Sequence, residues 1–144
     1  LAEGWSDTLR LYRERLEACL LHEALAELWE FVGGANKVVD AEQPWALAKA
    51  WNAGDGAAGE RLRGVLGDLL EACRLVGLAA APFMPSAAPR VLQQLGYAYT
   101  YTAEGNDGPP ILEELRWGAH AGDTGLVTAP EPLFPRLDVE SGAS

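Results

Sequence analysis

The sequence predicts an all-α fold, a five-helix bundle with an irregular C-terminal segment packed back on it. Three observations carry this. Long stretches repeat apolar residues at alternating spacings of four and three, the stripe of an amphipathic helix. Internal prolines fall where those stripes start or stop. Alternation of period two is confined to Tyr97, Tyr99 and Tyr101, too short a run to argue for a sheet.

The first stripe is Trp5, Leu9, Tyr12, Leu16 and Cys19, with Ser6 and Asp7 near its start. Arg10, Arg13, Glu14, Arg15 and Glu17 take the other face, which reads as solvated. Leu21, Leu25, Leu28, Val32, Ala35 and Val39 then predict a second helix from about residue 21 to 41. Gly33-Gly34 inside it costs about 1 kcal/mol per glycine relative to alanine. The helix therefore either uses the pair for close packing or bends there.

Pro44 opens a short third helix, because proline is favoured at the first helical position, where its missing N–H costs nothing. Trp45 lies in that first turn, and Leu47, Ala48 and Trp51 follow. Asn52 to Gly59 reads as a turn-rich loop. Leu62, Leu66, Leu69, Cys73, Val76 and Ala80 predict a fourth helix of about twenty residues. It is apolar on two sides, as the central member of a bundle should be. Ala81-Pro82-Phe83-Met84-Pro85 ends it, since Pro82 disfavours the helical conformation for Ala81. Ser86 is placed to cap a fifth helix, with Pro89 tolerable in its first turn. Val91, Leu92 and Leu95 face inward there, and Gly96 is a natural stop.

Beyond Tyr97 the periodicity is lost. Asn106 to Pro110 reads as a turn, Ile111 to Trp117 as one helical turn or two, and Leu133-Phe134-Pro135-Arg136 as a final apolar cluster. Residues 141–144 read as a frayed tail.

At 144 residues the chain is most simply a single domain, 1–144. Such a chain buries roughly 70% of its unfolded surface and needs no disulfide or metal staple. The 49% of hydrophobic residues excludes wholesale disorder. Cys19 and Cys73 lie far apart in apolar rows, without zinc spacing, and read as buried thiols in a reducing compartment. The chain begins at Leu1 and its one methionine is Met84, so we expect a piece cut or processed from a longer polypeptide, N-terminally truncated as an alternative to complete. No apolar run reaches the length of about 18 that spans a membrane. A cytoplasmic location follows as an expectation. The formal charge of −10 argues against tight nonspecific nucleic-acid binding, which usually needs a basic face. It leaves room for reading a few unpaired bases by stacking.

No catalytic constellation is present. His22 and His120 are isolated, no phosphate-binding glycine loop occurs, and adjacent pairs such as Glu113-Glu114 do not face each other on a helix. Catalytic residues, metal ligands and cofactors are accordingly expected to be absent from this chain. Aromatic residues are the remaining candidates. Trp5 and Trp29 fall within helical stripes or beside them and read as core. Trp51 reads either way, and Trp117 reads as an anchor of the tail. Trp45 stands at a helix corner and reads either as a platform for a base or ligand or as a core anchor; stacking a base on an aromatic ring is worth about 1–3 kcal/mol.

An ordered series of motifs carries a resemblance. It runs Ala24-Leu25-x-x-Leu28-Trp29, Asn36-Lys37-x-x-Asp40, Pro44-Trp45-x-Leu47-Ala48-Lys49, Ala81-Pro82-Phe83-Met84-Pro85 and Val91-Leu92-x-x-Leu95-Gly96. Trp117-Gly118 and Pro132-Leu133-Phe134-Pro135-Arg136 complete it. Over about residues 9 to 137 this resembles the anticodon-binding domain of class I methionyl-tRNA synthetases. The resemblance implies an RNA-binding helical bundle that docks the anticodon loop of methionine tRNA, as part of an ATP-dependent aminoacyl-tRNA ligase of protein biosynthesis. It implies that Trp45 stacks on a splayed-out anticodon base and that Pro44 shapes the contact. Asn36, Lys37 and Lys49 are the other anticodon-binding candidates, Asn36 being the more structural. A tRNA-backbone role becomes the alternative for the arginines of the first helix.

The family places two more base-reading residues, an asparagine and an arginine, on a helix that would precede Leu1. Its ATP and magnesium chemistry, and a zinc knuckle in some members, belong to a catalytic domain of the same polypeptide. No membrane or DNA partner is expected. Two other readings stay open: a noncatalytic acidic scaffold for protein partners, and the anticodon domain of another class I synthetase.

Overall fold

The computed structural model describes residues 1–97, 101–102, 105–106, 111–119, 127 and 132–134, and the structural statements below concern these. Helices dominate them: α1 (Ala2–Glu17), α2 (Leu21–Glu42), α3 (Pro44–Asn52), α4 (Gly56–Ala79), α5 (Ala88–Gln94) and a single turn, α6 (Ile111–Glu114). Two-residue strands β1 (Tyr101–Thr102) and β2 (Gly105–Asn106) pair antiparallel, Tyr101 opposite Asn106. The fold is all-α. The described residues hold six helices, one more than the five predicted, the extra being the single turn α6.

α1 and α2 form a helical hairpin. Its tight turn places Cys19 in the left-handed region (φ 59°), and the amide of Leu20 donates to Arg15 O at 2.8 Å. Arg15 then reaches Glu23 on α2 at 3.2 Å. At the far end of the hairpin Trp5 meets Phe31 edge to face, with ring centroids 5.0 Å apart. α4 packs against α2, α3, α5 and α6, and so is central, as its two apolar sides predict. Trp5, Tyr12, Leu28, Leu75, Leu78 and Leu92 are among the core residues where these helices meet.

α4 begins at Gly56, earlier than its leucine row shows. Asp55 supplies the reason: its carboxylate accepts the amide of Ala58 at 3.1 Å, capping the helix and shortening the expected loop. Gly59 lies inside the helix because a Cβ there would come within 2.6 Å of the Trp51 ring. Ser86 does not cap α5. Ala87 occupies that position, after turns in which Met84 O accepts the amides of Ala87 and Ala88. Gly96, at φ 88°, stops α5 as expected.

The C-terminal segment returns to the bundle through polar bonds. The Trp5 indole N–H donates to Leu115 O at 2.6 Å, across 110 positions of sequence. Arg74 on α4 is fully buried and donates to Glu114 O at 2.8 Å and Arg116 O at 3.3 Å, while its two other bonds hold Glu71 at 2.7 and 2.8 Å. Glu71 in turn accepts the amide of Gly118 at 2.8 Å. Trp117 packs partly buried against the core, the anchoring role expected for it. Further on, Arg90 of α5 donates to Pro132 O and Leu133 O at 2.9 and 3.0 Å.

Several residues read as inward-facing are not. Leu21, Trp29 and Leu66 are exposed, and so are Cys19 and Cys73, both expected to be buried. The rows that begin with some of them still mark real apolar faces, but two of those faces meet an opening. Val32, Ala35 and Val39 on α2 and Leu69, Cys73, Val76 and Ala80 on α4 line a groove of about 500 Å³ that α5 closes on one side. Trp29 and Phe134 lie along it too, Phe134 with 71% of its surface exposed. The true inward row of α4 includes Leu62, Val65, Ala72, Leu75 and Leu78. α2 runs unbroken through Gly33-Gly34, and nothing stands within 4 Å of a Cβ at either, so the pair serves no close packing among the described residues. Tyr99, Asp107 to Pro110, His120, Pro135, Arg136 and the tail fall outside the described residues.

Candidate nucleic-acid interface

The α2–α3 corner is built from three consecutive residues. Glu42 is the last of α2, Gln43 is left-handed (φ 45°, ψ 63°), and Pro44 is the first of α3. A left-handed conformation costs a non-glycine residue roughly 1–2 kcal/mol. It is bonded on both sides: the Gln43 amide donates to Val39 O at 3.0 Å, and Gln43 O accepts the amides of Ala46 and Leu47 at 2.8 and 3.2 Å. The chain thus ends one helix and starts the next without an intervening loop. Pro44 at the first position needs no partner for a backbone donor.

Trp45 comes next and keeps 59% of its surface exposed. At that exposure the ring is not part of the core. Lys49 follows one turn later, on the same face of α3, and is exposed. Pro44, Trp45 and Lys49 are therefore brought together on one short helix.

Asn36 and Lys37 are placed differently. Both are exposed on α2, and Asn36 lies two turns before Gln43, about 10 Å along the helix. Asn36 also lines the apolar groove, where its amide is an isolated polar edge, whereas Trp45 lies outside it.

Two fastenings brace the corner against α4, one at the end of α2 and one on α3. Arg61 donates from Nε to Glu42 Oε2 at 2.9 Å, and its Nη2 pairs with the other carboxylate oxygen. That guanidinium holds the Glu42 carboxyl below the usual carboxylate range, chiefly through the hydrogen bonds, and is itself pushed up in return. At the other end, Trp51 lies against Gly59. Sequence reasoning missed Gln43, Glu42 and Arg61. A pre-proline residue between two helical patterns was the available signal for Gln43, whereas the pairing of two residues 19 positions apart had none.

Chemically the corner offers an exposed indole face, a neighbouring ammonium and nothing nucleophilic. His22 is exposed on α2, 3.9 Å from Glu23. Among the described residues there is no group of three or more His, Cys, Asp or Glu side chains that would hold a metal. No described helix is long and apolar enough to cross a membrane. The arginines of α1 behave as a solvated face, Arg10 pairing with Glu14 and Arg15 with α2 carboxylates.

No family model matches the chain. Among curated proteins it is 34% identical over 140 residues to the methionine–tRNA ligase of Caldanaerobacter subterraneus subsp. tengcongensis. It is 31% identical over 134 residues to that of Bacillus subtilis. These alignments cover 97% and 93% of this chain but only 19% and 18% of the relatives, so the chain spans about a fifth of their length. In structure it superposes on the apo form of Mycobacterium tuberculosis methionyl-tRNA synthetase with a TM-score of 0.72 and 27% identity, over 94% of this chain and 25% of that one. Its relatives are thus methionyl-tRNA synthetases, of which it matches a small part.

Proposed function

We propose that the chain is the anticodon-recognition module of a methionine–tRNA ligase, contributing RNA binding and none of the chemistry. One observation carries this reading: Pro44 opens α3 so that Trp45 projects from a braced corner with most of its ring face in solvent. Unpaired loop bases are recognised by stacking on aromatic rings and by hydrogen bonds to their edges. An indole with a lysine one turn away suits a stacked base with a phosphate beside it. Stacking also suits a chain of charge −10 better than a dense set of phosphate contacts would.

In this reading Trp45 is the platform, Pro44 sets its approach, Lys49 and Lys37 meet the RNA backbone, and Asn36 holds the α2 side of the surface. Methionine activation with ATP and magnesium, and any zinc, belong to the rest of a cytoplasmic ligase polypeptide. The test is Trp45→Ala in the full-length ligase. Charging of methionine tRNA should fall strongly while ATP-dependent methionine activation stays near its original rate. Equal loss of both, or loss of neither, would contradict the proposal.

The apolar groove between α2 and α4 favours a second reading, an acidic scaffold that docks protein partners. The two differ in which residue matters. A scaffold would lose its partner on substitution of Val76 or Val39 and be indifferent to Trp45.

A further inference from the structure

We propose that Gln43 and the Glu42–Arg61 pair are positioning residues that fix the aim of the Trp45 ring before any RNA arrives. The inference rests on Trp45 being the base platform, and it explains how an exposed side chain on a nine-residue helix can serve as one. A helix that short is marginal by itself. Its direction must therefore come from what holds its ends.

Gln43 sets the turn. Two non-glycine residues among those described are left-handed, Cys19 and Gln43, and Gln43 is the one that precedes a proline. The proline ring disfavours the right-handed helical region for the residue before it, so α2 does not run straight through Gln43 into α3. With Glu42 helical on one side and Pro44 helical on the other, a single pair of dihedral angles sets the angle between α2 and α3.

The two fastenings then remove the remaining freedom. Glu42, immediately before the hinge, is gripped by two of the guanidinium nitrogens of Arg61 on α4, Nε and Nη2. Trp51, seven residues after Pro44, lies on the bare backbone of Gly59, two residues before Arg61. The corner is thus pinned to α4 through Glu42 before the hinge and through Trp51 on α3, and Trp45, between the two, joins neither contact. A ring fixed in this way has little ordering left to lose on binding, which is how preorganisation raises affinity without adding a contact.

Fluorine NMR of the 144-residue chain labelled with 5-fluorotryptophan tests this directly. Its five tryptophans give five resonances, and loss of one in Trp45→Phe identifies Trp45. Arg61→Met removes the grip at an exposed pair and should leave the chain folded. The Trp45 resonance should shift and broaden while that of buried Trp5 stays put. Gln43→Val, poorly tolerated in the left-handed region, should do the same, and Gln43→Gly should broaden the line at its original position. Exchanging the charges (Glu42→Arg with Arg61→Glu) should restore the original line.

Affinity for an anticodon stem-loop with sequence CAU should fall about threefold to tenfold in Arg61→Met, a fraction of what losing the whole stack removes. An unmoved Trp45 resonance in Arg61→Met and Gln43→Val would overturn the inference. So would a moved resonance with unchanged affinity while Trp45→Ala weakens binding. If Trp45→Ala leaves affinity unchanged, the platform reading fails, and the fluorine spectrum still reports whether the corner is braced.

Discussion

Trp5 and Trp45 stand in the first turns of two helices of the same small protein, and their surroundings give them opposite work. Trp5 keeps 1% of its surface in solvent, meets Phe31 edge to face and donates its indole N–H to Leu115 O. Everything it offers is already used inside the chain. Trp45 keeps 59% of its surface exposed on a corner with a left-handed residue and a bidentate ion pair behind it. Identical residues therefore differ in what they leave free for a partner, according to whether the fold has consumed the ring or left it in solvent.

Substitution should separate the two regions most sharply. Trp5→Ala removes a buried aromatic and leaves Leu115 O without its donor, and should cost about 3–5 kcal/mol in denaturant unfolding. Arg74→Met comes next in scale. It removes the bonds that the guanidinium gives Glu71, Glu114 O and Arg116 O, and removing one partner of a buried pair typically costs about 3–5 kcal/mol. Its melting transition should also decouple from near-ultraviolet signals of Trp117. Tyr12→Phe takes away the hydroxyl that donates to Ala79 O at 2.7 Å, for about 1–3 kcal/mol. Trp45→Ala should move stability by no more than about 0.5 kcal/mol, as for a surface residue. A large loss there would erase the contrast.

The same regions differ with pH. Burial pushes the Tyr12 phenol up from 10.0 to about 12. Because the folded-state value lies above the unfolded one, this contribution is fully present below pH 10 and is lost as pH rises toward 12. Phenolate absorbance should show the Tyr12 phenol titrating late, a step that Tyr12→Phe removes. At the corner the sign reverses. Glu42 is held below its ordinary value, so its bond to Arg61 persists above that value and is lost as pH falls through the lowered one.

The helices were legible because apolar residues at alternating spacings of four and three can line one face of an α-helix and of little else. What those faces meet was not. The rows holding Val32, Ala35 and Val39 on α2 and Leu69, Cys73 and Val76 on α4 are apolar, yet they line a groove, and Trp29 and Leu66 stand in solvent. Periodicity reports that a side is apolar without reporting what covers it. Arg74 was invisible for the complementary reason: one arginine in an apolar helix looks like a snorkelling surface residue until the carbonyls that surround it are placed.

At the candidate site, Pro44 could be assigned to the first position of α3 from sequence because its geometry is fixed locally. The exposure of Trp45 could not, since it depends on how α3 is fastened to α4. The left-handed Gln43 and its neighbour's pairing with Arg61 are products of that tertiary arrangement.

The central claim is that the exposed ring of Trp45 is a stacking platform for an unpaired base. Titration of the chain and of Trp45→Ala with a CAU anticodon stem-loop and a scrambled loop tests it most directly. The account predicts tryptophan quenching by the CAU loop alone, lost in Trp45→Ala while the melting temperature is kept. Equal quenching by both loops, or a Trp45→Ala variant that binds like the original, would contradict it.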